Sequence, residues 1–270
     1  MHRSDPAAAL EALLALMARL RDPQHGCPWD RAQDFKSIAP YTLEEAYEVR
    51  EAIERNDPDA LRAELGDLLF QVVFHARLGE ERGWFDFAAI AAGIHQKLIR
   101  RHPHLFGGEA TPGTAGEQSR RWEDLKALER AADGSSDASA LADIPLALPA
   151  LTRAGKLGRR AGRVGFDWTQ PAAVREKVLE ELGELDAALG CAGGMADEHA
   201  REEFGDLLFA LANWGRHLGI DPEEALRGAN AKFERRFRRM EGRAERRGAP
   251  LTQLSGAEWD ALWCEVKGEP

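Results

Sequence analysis

Two stretches of the chain carry the same carboxylates at the same spacing. Leu43-Glu44-Glu45-Ala46-Tyr47-Glu48 is followed by Glu64-Leu65-Gly66-Asp67, and Leu179-Glu180-Glu181-Leu182-Gly183-Glu184 is followed by Glu203-Phe204-Gly205-Asp206. Residues three apart on a helix share a face, so Glu45 pairs with Glu48, Glu64 with Asp67, Glu181 with Glu184, and Glu203 with Asp206. A single Glu-x-x-Glu is ordinarily a solvated face, and Glu45, three residues after Thr42, also fits a capping box. Two facing pairs, in register and twice over, fit neither description. Four carboxylates with no interleaved lysine repel one another in a partly buried site, and a hard divalent cation removes that conflict. All-oxygen ligation suits Mg²⁺, with Mn²⁺ as the alternative, and both keep coordination positions for water and substrate phosphates. A helical di-iron site would need Glu-x-x-His, and none of the eight histidines stands three after a glutamate.

Facing pairs require two antiparallel helical hairpins. In the first, Asn56-Asp57-Pro58 stops one helix and starts the next. Glu48 and Glu64 lie about eight residues from that turn, and Glu45 and Asp67 about eleven, so at about 1.5 Å rise per residue the carboxylates fall on two matching levels. From Glu45 to Glu64 is 19 residues and from Glu181 to Glu203 is 22, a difference that the turn Gly190 to Gly194 absorbs. Further helices are expected over Ala7–Leu20, Asp86–Arg101, Glu117–Ala131, Leu146–Ala161, Pro171–Leu189, Asp197–Leu218 and Asp221–Arg247, with a last short one carrying Trp259 and Trp263. Arg21 to Pro40, rich in proline and glycine, reads as irregular, with Thr42 capping the helix that follows. The leucines and phenylalanines that follow the carboxylates, Leu65, Leu68, Leu69 and Phe70 in the first copy, read as core. No stretch shows sustained strand-like alternation, so the fold is read as all-α, with residues 1–131 and 146–270 as two tandem domains and 132–145 as a flexible linker.

A basic element follows each hairpin: His95-x-Lys97-x-x-Arg100-Arg101 in the first half and Asn230-x-Lys232-x-x-Arg235-Arg236 in the second. Lysine and arginine on one helix face could hold outer phosphates while a metal holds the inner ones. The net charge of -10 argues against nucleic acid or an anionic membrane as partner. Three scattered cysteines argue against a disulfide framework or a thiolate zinc site and fit a cytoplasmic protein. Nothing reaches the roughly 18 apolar residues of a membrane span. A competing class is a non-catalytic nucleotide- or RNA-binding regulatory helical dimer using Arg235 to Arg247, a run that Glu241 and Glu245 dilute.

Over almost its whole length the chain resembles the MazG nucleoside triphosphate pyrophosphohydrolase family. The resemblance rests on Gly26-Cys27-Pro28-Trp29-Asp30, both carboxylate sets, Arg101-His102-Pro103-His104, Val164-Gly165-Phe166-Asp167-Trp168 and Asn230-x-Lys232-Phe233-x-Arg235-Arg236-Phe237. It implies a Mg²⁺-dependent homodimer that cleaves NTPs and dNTPs between the α and β phosphorus atoms, yielding monophosphate and pyrophosphate in nucleotide-pool control. Glu181, Glu184, Glu203 and Asp206 match the family's metal ligands, with Glu181 and Glu184 also in the catalytic set. Lys177, Asn230, Lys232, Arg236 and Trp263 match nucleotide-contacting positions, Lys232 and Arg236 stabilising the leaving pyrophosphate. The resemblance credits the second half with the activity; Glu45, Glu48, Glu64, Asp67 and Lys97 form a second candidate site.

Overall fold

The computed structural model describes residues 5–108, 113–132, 139–191, 196–248 and 251–268. The described residues hold helices and turns and no strand, which makes the protein all-α. The chain divides into two compact units, Met1–Arg130 and Ala131–Pro270.

In the first unit the helices are α1 (Pro6–Leu20), α2 (Pro28–Ala32), α3 (Phe35–Glu54), α4 (Pro58–Glu81), α5 (Phe87–Arg101), α6 (Pro103–Phe106) and α7 (Ala115–Ala132). α3 and α4 form an antiparallel hairpin against which α1 and α5 pack. Its turn follows the sequence signals closely: Asn56 takes a left-handed φ of 52°, and the Asp57 side chain accepts from the backbone N–H of Asp59 and Ala60 with Pro58 next. The core joins Met17, Ile38, Val73, Phe74 and Leu78.

The stretch before α3 departs from expectation. The helix starts eight residues earlier than the Thr42 cap would place it, because Asp34 and Ser37 form a reciprocal capping box. Pro40 lies inside the helix; it lacks an N–H to donate, so Glu45 is a mid-helix residue and its capping explanation falls away. Pro28 begins α2 within the stretch that its prolines and glycine mark as irregular. That loop is held by Arg21, whose guanidinium meets Glu81 at 2.7 Å and donates to the carbonyls of Asp30 and Gln33. Gly26 folds against the Leu20 and Asp22 backbone so closely that any Cβ would overlap it.

The second unit contains α8 (Ala150–Arg163), α9 (Pro171–Cys191), α10 (Glu198–His217), α11 (Pro222–Arg246), a 3-10 turn at Leu251–Gln253 and α12 (Gly256–Lys267). α9 and α10 form the second hairpin, and α8 packs on α10 and α11. α8 begins after Pro149, four residues later than expected. Residues 133–138 of the expected linker lie outside the described residues; beyond them Ala142 and Ile144 are buried, and Arg160 donates to the Ala140 carbonyl. The core of this unit lies between α11 and α12, around Met240, Ala244, Leu262 and Val266. The predicted turn at Gly190–Gly194 falls largely outside the described residues.

The apolar residues beside the carboxylates are not all core. Leu65, Leu69 and Val72 on α4 are 36–48% exposed, and so are their counterparts Phe204, Leu208 and Leu211 on α10 at 41–52%. Their spacing of four and three residues makes each set one continuous apolar stripe. Leu68 and Phe70 are half-buried.

Candidate metal centre and nucleotide site

The two hairpins bring the glutamates together as the spacing requires. Carboxylate oxygens of Glu45, Glu48 and Glu64 lie within 4.8 Å of one another, and so do those of Glu181, Glu184 and Glu203. Oxygens around a single cation at about 2.1–2.4 Å are separated by at most about twice that distance, so each trio is close to a one-ion ligand set. Glu181 is 7% exposed and is the buried member of a trio drawn from α9 and α10. Asp67 and Asp206, one turn along, belong to neither trio; aspartate is one methylene shorter, which holds its oxygens nearer its own helix. Asp67 still acts on the first cluster. Burial raises the Glu45 carboxyl above its ordinary value, and the charges of Asp67, Glu48 and Glu64 raise it further. The donor set thus fits a hard divalent cation: it is all oxygen, convergent and short of positive charge.

The second cluster differs from the first in a respect that corrects the sequence reading. A lysine is interleaved after all: Lys177 Nζ lies 2.8 Å from Glu181 and 2.9 Å from Glu180. Those contacts raise its pKa, Glu181 contributing most and Glu180 next. Glu184 is pushed above the usual carboxylate range by partial loss of water, with Glu181 and Glu203 adding to the rise against the pull of Lys177. His199 stands 3.4 Å from Glu203. The Lys177–Glu181 and His199–Glu203 contacts are at i,i+4 spacing, a signal the sequence carried.

The remaining candidates sit on neighbouring elements. Asn230, Lys232 and Arg236 are on α11, the first two exposed and Arg236 half-buried. Trp263 on α12 packs 5.6 Å from the Phe233 ring, with Lys267 5.9 Å above it. Along α11, Arg238 pairs with Glu234, and Arg243 and Arg247 with Glu265, which breaks up the run of positive charge. Lys97 acts on Glu129: with Arg101 and Arg100 it lowers that carboxyl, the Arg101 hydrogen bond being the main cause. Arg101-His102-Pro103-His104 instead docks α7, through the Arg101–Glu129 pair and through Trp122, which donates to the Arg101 carbonyl and meets the His102 ring edge-on.

Asp167, in the loop before α9, is the residue whose role sequence could not reveal. It accepts from Arg216 at 2.6 Å and lies 2.8 Å from His217, at the end of α10. Arg216 in turn donates to the buried Asn213 at 2.7 Å. Gly162 and Gly158 of α8 leave the room, since a Cβ on either would come within 2.7 Å of Asp167 or Asn213. The Arg216 hydrogen bond is the main cause that brings Asp167 down to about 2. The loop is thereby tied to the helix that faces α9 across the carboxylate cluster.

Comparison with known proteins agrees with this architecture. The MazG nucleotide pyrophosphohydrolase domain matches residues 33–106, which span α3 to α6 and the first glutamate trio. A nucleoside triphosphate pyrophosphohydrolase of Escherichia coli is 49% identical over 96% of this chain and 97% of its own. The nucleoside triphosphate pyrophosphohydrolase/pyrophosphatase MazG of Thermotoga maritima is 43% identical over 96% and 95%, and a Mycolicibacterium smegmatis nucleoside triphosphate pyrophosphohydrolase 31% over 96% and 70%. With 43–49% identity to the Escherichia coli and Thermotoga maritima proteins over nearly their whole length, two like-built hairpins and a carboxylate trio in each, the chain belongs to the MazG family of nucleoside triphosphate pyrophosphohydrolases.

Proposed function

We propose that the protein hydrolyses ribo- and deoxyribonucleoside triphosphates between the α and β phosphorus atoms, with Glu181, Glu184, Glu203 and Asp206 as its Mg²⁺ ligands. The observation that carries this reading is the convergence of three glutamates from two helices, one of them buried, in a chain of this family. A divalent cation held there supplies charge neutralisation and polarisation of the phosphoryl oxygens. Water adds to phosphorus, the bridging P–O bond breaks, and a carboxylate of the cluster takes the proton. Lys232 and Arg236 on α11, which packs on α10, neutralise the charge that develops on the departing pyrophosphate. Asn230 and Trp263 orient the nucleotide, Trp263 presenting a ring to the base. Lys177, which already meets Glu181 and Glu180, would contact the phosphates with a cation in the cluster.

The same chemistry is open to Glu45, Glu48 and Glu64 with Asp67, and Lys97 is the basic residue offered to that second site. The assembly we propose is a homodimer: the stripe Leu65, Leu69, Val72 and its counterpart Phe204, Leu208, Leu211 are too apolar and too continuous to stand in water, and a second copy presents matching faces. No helix among the described residues is long and apolar enough to cross a membrane; we read the protein as a cytoplasmic guardian of the nucleotide pool. Incubating it with each nucleoside triphosphate and Mg²⁺ tests the reaction. Monophosphate and pyrophosphate in equal amounts are expected, whereas stepwise release of orthophosphate would contradict the assignment.

A further inference from the structure

We infer that Lys177 is a tethered counter-ion that makes the second carboxylate cluster select a cation arriving with a triphosphate over the bare cation; the inference rests on the metal site proposed above. The Lys177 ammonium sits on Oε1 of Glu181, on the carboxylate that a cation in the trio would share, and shares itself with Glu180. Glu181 is the most buried glutamate of its trio, so its carboxylate has little water to fall back on and the ammonium partly takes the place of the metal. A bare divalent ion entering this site must displace the ammonium or bind beside its charge. A cation that brings a polyphosphate also brings the anion to which the ammonium can turn. Lysine suits this exchange, since a flexible four-carbon stem carries a point charge with three rotatable donors, and the backbone of α9 need not move. Coupling of this kind is reciprocal: the anion strengthens metal binding by the factor by which the metal strengthens anion binding.

The first unit supplies the contrast within one chain. Tyr41 stands four residues before Glu45, where Lys177 stands before Glu181. The Glu45, Glu48, Glu64 trio has the same close approach without that lysine, so a cation reaching it meets no tethered competitor at this position.

The experiment is a Mn²⁺ titration of the full chain followed by electron paramagnetic resonance, with and without α,β-methylene-ATP, for wild type, Lys177→Met, Lys177→Arg and Glu181→Gln. The second cluster is the class of site that Glu181→Gln removes. For that class, Lys177→Met is expected to bind free Mn²⁺ about tenfold more tightly than wild type, because a charged hydrogen bond no longer competes. The tightening produced by the analogue should fall by about the same factor, and Lys177→Arg, which keeps the charge, should stay within about twofold of wild type for free Mn²⁺. Unchanged or weaker free Mn²⁺ binding in Lys177→Met, with the site still lost in Glu181→Gln, would overturn the counter-ion role alone. Equal tightening in the methionine and arginine variants would overturn it too, by showing packing rather than charge at work. Retention of every Mn²⁺ site in Glu181→Gln would instead remove the metal assignment, and the inference with it.

Discussion

Replacing Asp167 by asparagine should destabilise the second unit by an amount that depends on pH in a defined way. Its carboxyl is lowered from 3.8 to about 2, chiefly by Arg216 and then by His217. A gap of about two pKa units corresponds to about 2.5 kcal/mol, and since its side chain is 24% exposed, solvent screening trims this to about 2 kcal/mol. The folded-state pKa is depressed, so the contribution is present above the unfolded value near 3.8 and disappears as pH falls from about 4 to about 2. In urea the variant's midpoint should lie about 1 M below that of wild type at pH 7, and the two should converge toward pH 2. The difference between the proteins is the quantity to read, because Glu258 and Glu265 in the same unit are also lowered and titrate in both. Equal midpoints at pH 7, or a deficit that persists unchanged at pH 2, would refute the assignment of the Asp167–Arg216–His217 contacts as a charge-based tie.

Two further outcomes bear on the clusters and the assembly. Glu45 has a raised pKa, so in the absence of a divalent cation it favours folding at low pH and opposes it as pH rises through the folded value; Glu45→Gln in EDTA should therefore raise the thermal midpoint of the first unit at pH 8, and added Mg²⁺ should stabilise wild type more than the variant. A lower midpoint for the variant in EDTA would contradict the repulsion. Leu208→Glu places a charge in the apolar stripe of α10 and should shift the protein from dimer to monomer in sedimentation velocity at micromolar concentration, by at least about 2 kcal/mol of association energy; an unchanged dimer would place the interface elsewhere.

What sequence disclosed depended on range. Signals contained within one or two turns were legible: the i,i+3 glutamate pair on each hairpin's first helix, the Asn56-Asp57-Pro58 turn, and Asp221, whose side chain caps α11 at Glu223 and Glu224. The start of α3 was misread because Pro40 suggested a break, whereas a proline inside a helix is tolerated here behind a strong Asp34–Ser37 cap. The Lys177–Glu181 pair is legible at i,i+4, whereas the resemblance assigns Lys177 to the nucleotide. Asp167 and Arg216 are 49 residues apart, and no local pattern joins them. The exposed stripe could not be told from core, since hydrophobic periodicity marks a face that is covered without saying by what.

The most direct test of the central claim is pyrophosphate release from nucleoside triphosphate and Mg²⁺ by wild type and by Glu181→Gln, with circular dichroism showing both folded. Loss of the metal-binding carboxylate should lower the rate by at least about 100-fold, with monophosphate and pyrophosphate as the wild-type products. A Glu181→Gln protein that releases pyrophosphate as fast as wild type would show that the reaction takes place somewhere other than the cluster between α9 and α10.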